Sequence, residues 1–179
     1  MAKLLISNGA NIHSRTEIPH KTPMQLAAAG GHLSVMEELV KQGISWKDKD
    51  DWGWTLLHEV AATGNAEAIR WVSQRSRGMS NVADKLGRTS LLTALISGAG
   101  VEAVAELLKQ GEDPSEEDDV GRTSAQAAVL YCSSEVVQII LEAAKKNDKI
   151  EFDEEQLLEI AEDHAEAAVV KKLITNALS

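Results

Sequence analysis

Residues 22–35, TPMQLAAAGGHLSV, decide the fold of this chain, because their pattern returns three times further along. Similar stretches begin at residues 55, 89 and 123, so that the starting threonines are separated by 33, 34 and 34 residues. Nine residues after each threonine comes a small residue, in order Gly31, Gly64, Gly98 and Cys132. A period of this length indicates a stack of similar units, each of which buries its apolar face against its neighbours.

Each unit is predicted to contain two short helices and a turn-rich loop. Alanine and leucine follow the threonine with helical spacing, the small residue breaks this first helix, and a second apolar stretch follows. The threonine hydroxyl can cap the first helix by accepting a hydrogen bond from its free N–H groups. Aspartate and glycine stand three residues apart before three of the threonines, at residues 50–53, 84–87 and 118–121, and predict turns there. These features predict an all-α fold.

The same residues resemble the ankyrin repeat, whose pattern residues 22–43 follow almost position by position. Leu92 and Gln126 depart from that pattern, because they stand where the family's T-P-L-H motif has histidine. Cys132 departs from it as well, since it replaces the glycine between the two helices. The resemblance implies an ankyrin-repeat solenoid of stacked helix–turn–helix units with β-hairpin fingers. It also implies a protein-binding role rather than catalysis.

The register of the repeats predicts a single ankyrin-repeat domain over residues 1–179. Its predicted units are a partial repeat, four full repeats and a C-terminal capping repeat, over residues 1–16, 17–49, 50–83, 84–117, 118–150 and 151–179. The partial repeat lacks its first helix, so we expect Leu4 and Leu5 to need an upstream helix that covers them. The cap keeps the helical spacing of apolar residues but has an outer face rich in Glu and Lys, as a terminal repeat requires.

Negative charge is concentrated in the second half of the 179-residue chain, whose formal net charge is −10. Residues 1–90 carry 11 Lys and Arg against 9 Asp and Glu, whereas residues 91–179 carry 7 against 19. Six of the eight residues 112–119 are carboxylates, and such a field repels nucleic acids and acidic lipids, so we expect no nucleic-acid partner. This acidic loop is either a solvated segment or a patch that steers a partner protein with basic residues.

Two further features bear on the compartment. No apolar run approaches the roughly 18 residues of a membrane span, so no membrane insertion is predicted. The single cysteine, Cys132, cannot form an intramolecular disulfide and favours a reducing compartment. We therefore expect an intracellular location, cytoplasmic or nuclear.

The sequence offers no catalytic or metal-binding constellation. Residues 48–59 approach a calcium loop, with acidic residues at its first, third and last positions and Gly53 at its sixth. Trp52 occupies the fifth position, however, where an oxygen ligand is needed. Cys132 has no histidine at a spacing that suggests a nucleophile and its base. We expect a protein that is not an enzyme and that binds no cofactor or metal.

Binding is the better functional prediction, and the resemblance implies where it occurs. Ankyrin repeats vary most at the finger tips and on the groove side of the first helix. Several matching positions in this chain are apolar or aromatic, and two arginines flank them: Trp52, Trp54, Leu86, Ile96, Val120, Leu130 and Tyr131, with Arg88 and Arg122. Rings and aliphatic side chains lined along a groove are typical of a protein-binding hot region. Alternatively, the fingers pack on one another and bury these side chains.

Two functional hypotheses follow. The leading one is a non-catalytic protein–protein interaction module that binds a partner protein in its concave groove and on its finger surface. The alternative is a regulatory or structural ankyrin segment of a larger multidomain protein, such as an enzyme, kinase, channel or receptor. In that case the groove packs on the protein's own chain.

Overall fold

A computed structural model of the chain describes residues 8–75, 81–146 and 153–178. Its helices are α1 (Pro23–Ala29), α2 (Leu33–Lys41), α3 (Leu56–Ala62), α4 (Ala66–Arg75), α5 (Ser90–Ile96), α6 (Val101–Lys109), α7 (Ser124–Tyr131), α8 (Ser134–Lys145), α9 (Glu154–Ile160) and α10 (Ala167–Leu178). A short 3-10 helix, Ala161–Asp163, follows α9. The described ranges contain no β-strand, so the all-α prediction is confirmed while the β-hairpin form of the fingers is not. Leu4 and Leu5, and with them the predicted upstream contact, lie outside the described residues.

The helices pair along the chain and stack in two layers. The first helices of successive pairs contact one another in the order α1, α3, α5, α7 and α9. The second helices do the same from α4 through α6 and α8 to α10. One continuous apolar core, rich in leucine and alanine, runs between the layers from Met24 to Ile174. Small side chains such as Ala28 and Ala61, both fully buried, let neighbouring helices approach closely.

Threonine capping starts each of the four predicted first helices. Each threonine hydroxyl accepts a hydrogen bond from the N–H three residues later, at 3.2, 3.4, 3.3 and 3.2 Å for Thr22, Thr55, Thr89 and Thr123. In α1, α3 and α7 the side chain at that third position accepts the threonine's own N–H in return. These side chains are Gln25, His58 and Gln126. A cap of this kind is worth about 1 kcal/mol of stability.

The same third-position side chains also reach the neighbouring unit. Gln25 Nε2 donates to the carbonyl of Trp54 at 3.1 Å, and His58 Nε2 lies 2.9 Å from the carbonyl of Arg88. Because His58 Nδ1 accepts the N–H of Thr55, its proton resides on Nε2, which donates. Leu92 is fully buried at the equivalent position of α5 and has no polar atom. At Leu92 the departure from the T-P-L-H motif therefore removes a bond between units but leaves the helix intact, whereas Gln126 keeps such a bond by donating to Gln156 Oε1.

Cys132 shows why the fourth unit tolerates the loss of its glycine. Gly31, Gly64 and Gly98 adopt φ values of 67°, 65° and 71°, a left-handed conformation that favours glycine. Cys132 instead has a φ of −117°, which any residue adopts without strain. Its thiol donates to the carbonyl of Leu95 at 3.3 Å, so the side chain packs as part of the fold.

Replacing His58 by leucine should destabilise the protein by about 2 kcal/mol, because the N–H of Thr55 loses its buried partner and the carbonyl of Arg88 loses a donor. His58→Gln is the matched control, since Gln25 makes both bonds at the equivalent position of α1. Urea denaturation followed by circular dichroism measures both. An equal loss in the two variants would show that ring shape, rather than hydrogen bonding, matters here.

Stability should also depend on pH through His58, whose pKa is lowered mainly by burial, which outweighs the hydrogen bond to Arg88. The unfolded chain binds a proton at this site below about pH 6.5, whereas the folded protein binds it only at lower pH. The contribution of His58 to the free energy of unfolding therefore falls as the pH drops below that value, and this contribution is constant above it. In His58→Gln this component should vanish. Denaturation midpoints at about pH 5.5 and 7.5 test the difference, and parallel pH profiles would contradict it.

Candidate partner-binding surface

Four loops precede α1, α3, α5 and α7, and we call them the first to fourth fingers: residues 16–21, 50–54, 84–88 and 118–122. In the last three, one aspartate oxygen accepts the N–H groups two and four residues later, which folds the loop into a tight turn. The distances are 2.9 and 2.9 Å for Asp50, 2.8 and 3.0 Å for Asp84, and 3.2 and 2.8 Å for Asp118. This is the physical reason for the aspartate–glycine spacing of the sequence. Glycine completes the turn because Gly53 has a φ of 83°, and a Cβ there would lie 3.2 Å from the N of Lys85.

Neighbouring fingers are joined by one backbone hydrogen bond each, which keeps their tips in register. Asp51 N donates to Pro19 O at 2.9 Å, Lys85 N to Trp52 O at 2.9 Å, and Asp119 N to Leu86 O at 3.0 Å. We call Trp52, Leu86 and Val120 the tip row, since each stands two residues after its finger aspartate. Their exposed fractions are 51%, 57% and 78%. Ile18, on the first finger, is exposed as well. The tip row is thus a line of apolar side chains open to solvent.

Trp54 occupies a different environment from Trp52, although the two stand only two residues apart. Its indole N–H donates to Asp84 Oδ2 at 3.0 Å, and its ring stacks on His58 with centroids 6.1 Å apart. The Trp52 ring meets Trp54 edge-on, with centroids 6.4 Å apart. Trp54 is half-buried and links the second finger to the third. For this residue, the structure agrees with the alternative that the fingers pack on one another.

The two predicted arginines pair within their own fingers. Arg88 donates through Nε and Nη2 to Asp84 Oδ2 at 2.9 and 2.6 Å, and Arg122 Nε lies 3.8 Å from Asp118 Oδ2. Burial raises the pKa of Asp84, but hydrogen bonds from Arg88 and from backbone N–H groups outweigh it and hold that pKa below its usual value. Both arginines therefore neutralise finger carboxylates.

The remaining predicted binding residues are Ile96, Leu130 and Tyr131. They lie at the ends of the first helices of their pairs, α5 and α7, and not on the fingers. Ile96, the last residue of α5, is half-buried against the core. Leu130 and Tyr131 are exposed at the end of α7. The Arg122 guanidinium lies 5.9 Å from the centre of the Tyr131 ring, so this patch adjoins the fourth finger.

An ion pair beneath the tryptophans was not anticipated from the sequence. Lys21 Nζ lies 2.7 Å from Glu59 Oε1, with both side chains largely buried. The ammonium also faces the rings of Trp54 and Trp52, at 5.2 and 6.0 Å from their centres. Burial raises the pKa of Glu59 in spite of the opposing pull of Lys21. The two residues are 38 positions apart, and no local pattern signals such a contact.

The acidic loop divides into structural and exposed carboxylates. Glu112 is buried and accepts the N–H groups of Asn81 and Leu91, both at 3.2 Å. Burial raises its pKa against the effect of these bonds. Asp118 holds the fourth finger, as described above. The exposed members are Glu116, Glu117 and Asp119, which we call the acidic trio.

A cavity of about 420 Å³ opens between the second and third fingers, lined by Trp52, Trp54, Lys85, Leu86 and Arg88. It brings together four of the residues predicted as binding residues. Two indole rings and one leucine supply an apolar wall, and two cations stand at its rim. Such a cavity suits an apolar side chain of a partner.

The aspartate of the calcium-like loop and the thiol of Cys132 both make hydrogen bonds within the fold. Among the residues described, no group of three or more His, Cys, Asp and Glu side chains could hold a metal ion. Asp50 Oδ1, in the calcium-like loop, accepts backbone N–H groups instead. Burial raises the pKa of the Cys132 thiol to about 11, which leaves it a poor nucleophile. Over the same ranges, none of the helices combines the length and the apolar character needed to cross a membrane.

Comparison with known proteins places the chain among repeat proteins. Residues 1–81 match the family model for ankyrin repeats in three copies. The chain is 27% identical over 98% of its length to the Caenorhabditis elegans "Ankyrin repeat and KH domain-containing protein mask-1", of which it covers 6%. It is 30% identical over 60% of its length to the same organism's "Transient receptor potential cation channel subfamily A member 1 homolog", of which it covers 9%. It is 32% identical over half its length to a sheep "Ankyrin repeat, SAM and basic leucine zipper domain-containing protein 1", of which it covers 19%. The chain thus spans less than a fifth of each of these relatives.

Substituting Trp54 by phenylalanine should cost about 1.5 kcal/mol of unfolding free energy, because the ring remains while the hydrogen bond to a charged Asp84 is lost. Trp52→Phe is the matched control, with an expected change below about 0.5 kcal/mol, since its exposed ring shows no hydrogen bond to the described residues. Guanidinium denaturation of both variants decides the point. Equal losses would show that the two rings contribute alike to folding.

Proposed function

Because this chain is an ankyrin-repeat protein, we propose that it acts as a non-catalytic protein–protein interaction module. It binds a partner protein across the concave groove and the finger surface. The observation that carries this proposal is the tip row, three apolar side chains that successive fingers hold in solvent. Apolar side chains grouped on a surface and open to solvent are a mark of protein interaction sites.

The tip row also has the chemistry of a binding hot spot. Tryptophan is enriched among the few residues that carry most of the binding energy of an interface. Trp52 rests against Trp54 and Lys21, which hold its ring in place before any partner arrives. A preorganised ring loses little conformational entropy on binding, so more of its contact energy is available for affinity. Leu130 and Tyr131, beside the fourth finger, extend the proposed surface toward the groove.

A second proposal is that the chain is a regulatory or structural segment of a larger multidomain protein. The observation that favours it is the length of the relatives, which include a channel homologue and proteins with KH, SAM or leucine zipper domains. An antibody against this domain would then detect a natural protein much heavier than 19.3 kDa. A natural protein of 19.3 kDa would contradict this second proposal and leave the first intact.

An intracellular location, cytoplasmic or nuclear, stays a prediction. It rests on the reducing environment that suits Cys132, which is a free thiol. Fluorescent tagging of the natural protein would test it.

Val120→Asp should weaken partner binding without unfolding the protein, because it places a charge on the exposed tip row but leaves the core untouched. Val169→Asp is the matched control, since Val169 is also an exposed valine but lies on α10. Affinity capture from cells of the source organism, with quantitative mass spectrometry, should recover partners about tenfold less with Val120→Asp than with either wild type or the control. Equal recovery with all three proteins, or none above empty resin, would contradict the proposal.

A further inference from the structure

We infer that the finger surface binds an extended segment of a partner in which charge is segregated about an apolar anchor. An acidic residue stands on one side of this anchor and basic residues stand on the other. The inference rests on the proposed function and specifies the chemistry of the partner. It follows from the placement of the cavity and of the charges along the tip row.

The cavity between the second and third fingers receives the anchor. Trp52 and Leu86 form its outer walls, and both belong to the exposed tip row. Trp54, held by Asp84 and His58, closes its inner side. About 420 Å³ is room for a leucine or an aromatic side chain, whose burial there would remove apolar surface of both molecules from water.

A cation at the rim of this cavity is available to a partner carboxylate. Lys85 lines the cavity and is exposed, and no carboxylate of the described residues forms an ion pair with it. Arg88, the other cation of the cavity, is already bound to Asp84. Lys49, just before the second finger, is exposed too. An acidic residue beside the anchor is therefore favoured at this end of the tip row.

The opposite end of the tip row is acidic. The acidic trio flanks Val120, and the side chain of Asp119 leans toward the third finger, where a Cβ on Gly87 would lie 2.6 Å from its Oδ1. The nearby cation, Arg122, faces Asp118 and the Tyr131 ring. Basic residues of the partner are therefore favoured beside Val120. At the second-finger end the exposed carboxylate, Asp51, is already held by His20 Nδ1 at 2.5 Å. The charge open to a partner is therefore the cation Lys85 beside the cavity and the acidic trio at the fourth-finger end.

The spacing of the fingers sets the length of the segment. Each finger is a loop of two chain passes, and single backbone hydrogen bonds join one finger to the next. With about 4.8 Å between hydrogen-bonded chains, successive tips lie about 10 Å apart, and three tips span about 20 Å. An extended chain advances about 3.3 Å per residue, so about six residues reach from Trp52 to Val120.

The test uses a phage-displayed library of random dodecapeptides, panned on the whole chain. Enriched peptides should share an apolar residue with acidic residues on one side and basic residues on the other. A synthetic copy of the most enriched peptide should bind at least about tenfold more weakly to Trp52→Ala, with Val169→Ala as the matched control. Circular dichroism and thermal melting establish that each variant is folded before binding is measured.

Charge exchange then locates the two ends of the peptide. Lys85→Glu should weaken binding, and a peptide whose acidic residue is replaced by lysine should regain affinity for this variant alone. Lys172→Glu, an exposed lysine on α10, is the matched control because it changes the net charge equally. The reciprocal pair is Glu117→Lys with a peptide whose basic residues are replaced by glutamate. Both effects should shrink as salt rises, since the charges are exposed.

The outcomes separate this inference from the proposed function. Two results contradict the charge-segregated partner but not the proposed function. In one, the binding of the peptides depends on Trp52 but the peptides are uniformly basic. In the other, charge exchange does not restore their affinity. An enriched set that binds Trp52→Ala and Val120→Asp as well as wild type overturns both, because the tip row is then not the binding surface. Rescue in both reciprocal pairs supports the inference.

Discussion

The imidazole of His58 ties the second finger to the third, and the candidate surface depends on that tie. Its Nε2 donates to the carbonyl of Arg88, and its ring supports Trp54, whose N–H reaches Asp84. These contacts use polar groups on both fingers and are largely shielded from water. Trp52 contacts this network in two ways. Its ring meets the Trp54 ring edge-on, and its carbonyl accepts the N–H of Lys85. Its own ring therefore remains open to solvent while its position is fixed.

The residue just before each threonine decides the character of a finger. These residues are Lys21, Trp54, Arg88 and Arg122. In the third and fourth fingers the arginine neutralises the finger aspartate four residues earlier. In the second finger tryptophan stands there instead, and Asp50 Oδ2 is buried with no hydrogen-bond partner among the residues described. An unpaired buried carboxylate oxygen costs stability. The second finger thus has a tryptophan ring at the position where the next two fingers have an arginine that pairs with the aspartate. The apolar cavity forms at that ring.

The helix pairs, their caps and the turns could be predicted because each depends on residues close together in the sequence. A threonine caps the N–H groups three residues later, and the finger aspartate binds N–H groups two and four residues later. Repetition at about 34 residues then predicts the stack, because identical local units can bury their apolar faces only against one another. The tip row could be predicted for the same reason, as Trp52, Leu86 and Val120 follow their aspartates at the same distance.

The sequence by itself therefore determined the all-α repeat architecture and the positions that successive fingers present. Only the tertiary structure decided which of those positions remain exposed. Trp52 and Trp54 look equivalent in the sequence, yet Trp54 is withdrawn by an aspartate 30 residues away. Glu112 likewise belongs to the acidic loop in the sequence, yet its carboxylate accepts the N–H of Leu91, 21 residues earlier. Such contacts form between units that stacking brings together, and their energy depends on burial and distance in space, which no spacing along the chain encodes.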